Sequence, residues 1–210
     1  MPLLPVTLIG DLIASRRSPQ RQVLHDTLSA ALATVADNSP AVQSAAVTAG
    51  DEFQGSYARL GDALGAVLSI RCHLEPSVPV RFGLGRGEVT MLDPENLTQD
   101  GPGWWSARAA IDAVESQEDE TGWSALRTAY RSHDDDPLQD AVNAALVCQD
   151  LLLDSYDERS WSILKGLMAG LTHTEIAEAL GITRQAVQQR RSSSGMPMLL
   201  GAAQTLARLP

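Results

Sequence analysis

Cysteine is nearly missing from this chain. Cys72 and Cys148 are the two in 210 residues, and they lack metal-ligand spacing. A disulfide framework and a cysteine-ligated zinc site are therefore excluded, and both side chains read as reduced, buried thiols. Also missing is any run of about 18 apolar residues, which rules out a membrane-spanning helix. The opening Met1-Pro2-Leu3-Leu4-Pro5 has neither the charged region nor the long apolar region of a signal peptide, so a cytoplasmic location is expected. Positive charge is scarce as well: 16 Lys and Arg face 26 Asp and Glu, a net charge of −10. Residues 157–210 hold six basic residues against four acidic ones, a net of +2, which leaves −12 on everything before them. An acidic body repels nucleic acid over about a Debye length, so DNA contact, where it occurs, falls to the C-terminal segment.

Two carboxylates stand out in what is present. Asp11 closes the β-rich run Val6-Thr7-Leu8-Ile9-Gly10-Asp11, and Asp51 sits in Ala46-Val47-Thr48-Ala49-Gly50-Asp51-Glu52-Phe53, which reads as strand, tight Gly-Asp turn, strand. Neighbouring strands lie about 4.8 Å apart, close enough for two such carboxylates to share a hard cation such as Mg²⁺. The plain alternative is a turn Asp and a helix-capping Asp. Along the hairpin, strand alternation sends Asp51 and Glu52 to opposite faces, with Phe53 on the side of Asp51.

These segments resemble the palm-like domains of class III nucleotide cyclases and of GGDEF diguanylate cyclases. Ala49-Gly50-Asp51-Glu52-Phe53 is similar to a GGDEF box with its first glycine replaced. Val80-Arg81-Phe82-Gly83-Leu84-Gly85-Arg86-Gly87 is similar to the cyclase strand after the hairpin, and Trp104-Trp105-Ser106-Ala107-Arg108 to a later cyclase helix. With Gly10-Asp11-Leu12-Ile13-Ala14-Ser15-Arg16 at the start and a helix-turn-helix at the end, the order of elements looks most like the SatD family. The resemblance implies Asp11 and Asp51 as metal ligands. It also implies Arg16, Gly50, Glu52 and Arg108 as nucleotide contacts, and Arg108 as the group that steadies phosphate charge if the palm is active.

Two positions depart from the cyclase pattern. Residues 45 to 49 are Ala, Ala, Val, Thr and Ala where a base-selecting Lys is usual, and Trp104 stands where an Asn would precede Arg108 by four residues. An indole cannot supply the donors of that amide, so metal and nucleotide binding are favoured over catalysis.

Periodicity gives a coarse map. Strands are expected at residues 5–13, 44–49, 52–57 and 78–89, with a late one within Trp123–Tyr130. Helices are expected over Pro19–Ala36, with Val23, Leu24, Leu28, Leu32 and Val35 inward, and over Leu60–Leu74 and Trp104–Val114. Asp93–Gly103 reads as a loop, the charged Glu115–Gly122 as a solvated loop, and a long helix follows Pro137. The fold class is α+β: a ferredoxin-like palm with an antiparallel sheet backed by helices on one face, plus a small all-α C-terminal domain. The expected division is a palm over 1–136, a connecting helix over 137–156 and a helix-turn-helix domain over 157–210. Gly83-Leu84-Gly85-Arg86-Gly87 lies inside a strand pattern and does not open a helix, so it is no dinucleotide loop. His25, His73, His133 and His173 have no ligand spacing, and Trp104 and Trp105 read as core or interface anchors more readily than as base-stacking groups.

At the C-terminal end, Leu171 to Arg191 reads as helix, glycine turn, helix: Ile176, Ala177, Leu180, Ile182 and Val187 inside, Gly181 at the turn, Thr183 as the second cap. It resembles sigma-factor region four and LuxR-type DNA-binding modules. Arg184, Gln185, Gln188 and Gln189 then address base edges from the major groove, Arg190 and Arg191 are placed to meet phosphate, and Thr183 counts with them among the DNA-binding residues. The expected whole is a homodimeric DNA-binding regulator with a cyclase-like palm that senses a nucleotide and Mg²⁺. An active cyclase or oligonucleotide synthase, and a purely structural adaptor, are the competing readings.

Overall fold

The structure is a computed structural model, and it describes residues 4–13, 19–95, 98–118 and 120–210. Its first half runs β1 (Val6–Leu12), α1 (Arg21–Ala36), β2 (Gln43–Ala49), β3 (Glu52–Tyr57), α2 (Leu60–Leu74) and β4 (Val80–Arg86). The strands order as β2-β3-β1-β4, every pair antiparallel. This is the β-α-β-β-α-β connectivity expected of the palm. A fifth strand, β7 (Thr128–Ser132), then adds to β4 in parallel, so the sheet is mixed rather than antiparallel throughout. The parallel step is reached through a crossover helix, α3 (Pro102–Glu118), as parallel neighbours require.

Alternation along β1 and β4 decides which helix covers which face. Val6, Leu8 and Leu12 join Val80, Phe82 and Leu84 in the main core with Leu28, Leu32 and Val35 of α1 and Leu64, Val67 and Ile70 of α2. Ile9 points the other way, against Ala107 and Ile111 of α3. The expectation of helices on a single face is thereby corrected. What allows α3 onto the second face is the absence of side chains on β4: a Cβ at Gly83 or Gly85 would lie 2.2 Å from α3 backbone atoms. Three smaller expectations also change. Asp93–Gly103 contains the second strand of a hairpin, β5 (Thr90–Asp93) with β6 (Thr98–Asp100). Glu115–Glu118 continues α3 instead of forming a loop, because its acids have an arginine across from them, as set out below. Val23 is 57% exposed, on the outer side of α1.

The second half is helical: α4 (Gln139–Asp154), α5 (Glu158–Met168), α6 (His173–Leu180), α7 (Arg184–Ser193) and α8 (Met196–Leu206). Trp161, Leu164, Ile176, Val187 and Leu199 build its core, and Leu68 and Cys72 of α2 enter the same cluster. One helix thus serves two cores. The expected connecting helix does likewise, with Val142 and Leu146 in the palm core and Leu153 in the helical one. Cys148 lies on the opposite, exposed side of α4, which corrects the expectation that both thiols are buried. Arg59, the N-cap of α2, makes no side-chain cap, and the free N–H groups of Leu60 and Gly61 donate instead to the carbonyls of Pro210 and Leu209 at 3.1 and 3.2 Å.

Candidate functional site

The palm carries its polar groups at the end of the sheet where β1 stops. Asp11 pairs across the sheet with Glu52 of β3 on one side and with Arg81 of β4 on the other, which places all three on the α3 face. Arg81 donates to Asp11 Oδ2 from Nε at 3.2 Å and from Nη2 at 2.9 Å. The same guanidinium reaches Glu115 at 2.8 Å and Glu118 at 3.4 Å on α3. Arg108 is held by Glu52, whose two oxygens both accept from Nη2 at 2.7 Å. The candidate phosphate ligand therefore already has an anionic partner in the same chain.

Asp51 occupies the turn between β2 and β3, not a strand position, so strand alternation does not send it away from Asp11. The two carboxylates lie close enough for the charge of one to act on the other. Burial is the largest influence on Asp11 and raises its pKa; the hydrogen bonds from Arg81 oppose this, and the negative charge of Asp51 adds to the rise. Asp51, but not Asp11, lines a cavity of about 30 Å³ together with Leu12, Arg21, Leu24, His25, Leu28 and Gly50. That volume suits an ion or a water; a nucleotide, needing several hundred cubic ångströms, has to lie outside it. Among the described residues no group of three His, Cys, Asp or Glu side chains gathers as a metal cage. Two carboxylates that repel each other still fit one hard cation, provided water or ligand oxygens complete its shell. Arg16 lies outside the described residues.

Sequence reasoning missed Arg81. Its signal was a charge between Val80 and Phe82 in an apolar strand, on the face that Asp11 shares. Trp104 is half-buried against the Ile9 cluster, with its indole N–H on Gln99, whereas Trp105 is 57% exposed and donates to Asp100.

In the helical half, Thr172 and Glu175 form a reciprocal capping box at the start of α6, Gly181 ends it in the left-handed region at φ 63°, and the Thr183 hydroxyl accepts from Ala186 N–H at 3.1 Å to start α7. Val187 is fully buried, which turns Arg184, Gln185, Gln188 and Gln189 outward, all exposed. Arg190 is tied at 3.0 Å to Asp157, the N-cap of α5, and Arg191 is half-buried. Exposed cationic reach on this face thus rests chiefly on Arg184.

The model of the SatD family matches residues 5–209. This chain belongs to the SatD family. A solved structure described as the catalytic core of a rhodopsin-guanylyl cyclase with converted specificity, in complex with ATPalphaS, is similar over 52% of this SatD family chain and 72% of its own, at 20% identity and a TM-score of 0.40. No curated protein matches the chain. Among the described residues no helix is long and apolar enough to cross a membrane.

Proposed function

We propose that this SatD family protein is a DNA-binding transcriptional regulator whose cyclase-like palm takes up a nucleotide with a divalent cation. The observation that carries the reading is the pairing of α6 and α7 about the left-handed Gly181, with Val187 buried and a row of Arg and Gln side chains left facing solvent. Such a pairing supports a helix-turn-helix, in which α7 would enter the major groove; Arg184 would then address guanine, and Gln185, Gln188 and Gln189 adenine edges. One such module binds weakly, so a homodimer on two half-sites completes the proposal. Replacing Arg184 and Gln188 together by Ala is expected to abolish sequence-specific gel retardation of operator DNA while circular dichroism stays unchanged. Retardation equal to that of the unmodified protein would discard α7 as the reading helix.

In the palm, Asp11 and Asp51 would hold the cation, which would neutralise their mutual repulsion and bind nucleotide phosphate oxygens. Arg108 would reach a phosphate only by leaving Glu52. A second reading, an active nucleotidyl cyclase, is favoured by the closeness of the Asp11 and Asp51 carboxylates, near enough for their charges to interact. Calorimetric titration with ATP and GTP plus Mg²⁺, beside the Asp11→Ala, Asp51→Ala variant and with product analysis, separates the two. Uptake lost in the variant without product supports a sensor, product establishes an enzyme, and no uptake leaves a DNA-binding protein on a scaffold.

A further inference from the structure

From Arg81, a series of contacts runs out of the palm site without a break. Glu118, which takes one hydrogen bond from Arg81 at 3.4 Å, offers its other oxygen to Arg127 at 3.6 Å. The backbone N–H groups of Arg127 and Thr128 both donate to Asp150 Oδ2 at 2.8 Å. Asp150 Oδ1 accepts from Arg71, and the Arg71 guanidinium lies 5.7 Å from the centre of the Trp161 ring. Trp161 belongs to α5, the helix whose N-cap Asp157 holds Arg190 of α7. Exposure falls along the path, from 20% at Glu118 through 14% at Arg127 to 1% at Asp150, so charge interactions are less screened toward the helical half.

We propose that Arg81 is a positioning residue that exchanges between Asp11 and the carboxylates of α3, and that this exchange is felt at Trp161 through Glu118, Arg127, Asp150 and Arg71. The inference rests on the reading that Asp11 receives a cation. When Asp11 is neutralised, Arg81 keeps Glu115 and Glu118 as its ion-pair partners among the described residues. Drawing Glu118 toward Arg81 removes its ion pair with Arg127 and leaves that guanidinium to its two carbonyl partners, Ser124 at 2.6 Å and Leu126 at 2.8 Å, beside the main chain that anchors Asp150. Two arrangements of one ion-pair path then bias how α5 sits on α2, and a ligand shifts the balance by its preference for one of them. The test measures the coupling between the two ends of the path directly.

The full chain is labelled with 5-fluorotryptophan and the Trp161 resonance assigned with Trp161→Phe; ligand-free ¹⁹F spectra are then compared. Asp11→Asn, which removes the charge without a ligand, is expected to displace the Trp161 resonance. The displacement should disappear when Asp11→Asn is made in a Glu118→Gln background or in an Arg81→Gln background. A Trp161 resonance unmoved by Asp11→Asn overturns the proposal, as does an equal displacement in the Glu118→Gln background. Glu118 is partly exposed, so its isosteric change leaves the fold in place. Because no ligand is present, the outcome is independent of the palm's ligand: a displacement seen beside a calorimetric null for Mg²⁺ with ATP discards the nucleotide site and keeps the path.

Discussion

Arg71 and Arg81 are each paired with an aspartate, and their surroundings put the two pairs to different use. Asp150 is fully buried and receives Arg71 together with two backbone N–H groups, so its charge is met by resident donors. Asp11 is 25% exposed, shares Arg81 with two glutamates, and faces a second carboxylate in Asp51. Burial raises the pKa of both aspartates. At Asp150 the remaining influences, from Arg71 and the two amides, all oppose that rise, whereas at Asp11 the neighbouring carboxylate adds to it. A site with all its donors in place is a structural joint. One with surplus negative charge is where the proposed cation would be received.

The largest expected effect is at the joint. Asp150→Ala leaves Arg71 buried without its partner and strands the amides of Arg127 and Thr128, and should cost about 3–5 kcal/mol in urea denaturation. A loss under 1 kcal/mol would erase the contrast between the two pairs. Next comes the packing that brings α3 to Arg81. In Gly85→Ala the new methyl would meet the backbone of Ala107 and Gly103, and α3 cannot yield without leaving the sheet, so about 1–3 kcal/mol is expected. The same change should weaken the contacts of Arg81 with Glu115 and Glu118, and leave the capping pattern of α6 and α7 intact by amide chemical shift.

The parts legible in the sequence were those fixed by near neighbours. The Gly50-Asp51 turn, the alternation that buries Leu8 while turning Asp11 outward, and the capped α6 and α7 each follow from a few adjacent residues. What escaped depends on distant ones. Glu115 and Glu118 look like a solvated run until Arg81, more than thirty residues earlier, is seen opposite them. The parallel seat of β7 on β4 follows from a crossover that local patterning does not encode. Arg71 stands among the buried residues of α2 and pairs with a residue 79 positions away, a distance at which one sequence gives no signal. Arg108 was legible as a candidate, but its capture by Glu52 was not.

Asp11→Asn should change stability by about 1 kcal/mol or less at neutral pH, because the lost Arg81 pairing is offset by relief of the repulsion from Asp51, and so sets the lower end of the contrast. A loss near that of Asp150→Ala would make Asp11 a structural group. The smallest effect expected is a difference in acid between the two halves. In the helical half the caps are pinned the other way from Asp11. Hydrogen bonds from the side chain and backbone of Ser160 hold Asp157 below the ordinary carboxylate value, and those from Thr172 do the same for Glu175. A carboxyl with a lowered folded pKa stabilises fully above its unfolded value, and that contribution is lost as pH falls through the folded one. Asp11, raised, contributes no such loss. Between about pH 4 and pH 2, amide protection in α5 and α6 should therefore fall before that in β1 and β4. Glu175→Gln should bring the loss in α6 forward to neutral pH and remove most of its pH dependence. Protection that declines uniformly across both halves would mean that α2, shared by the two cores, makes them open as one unit.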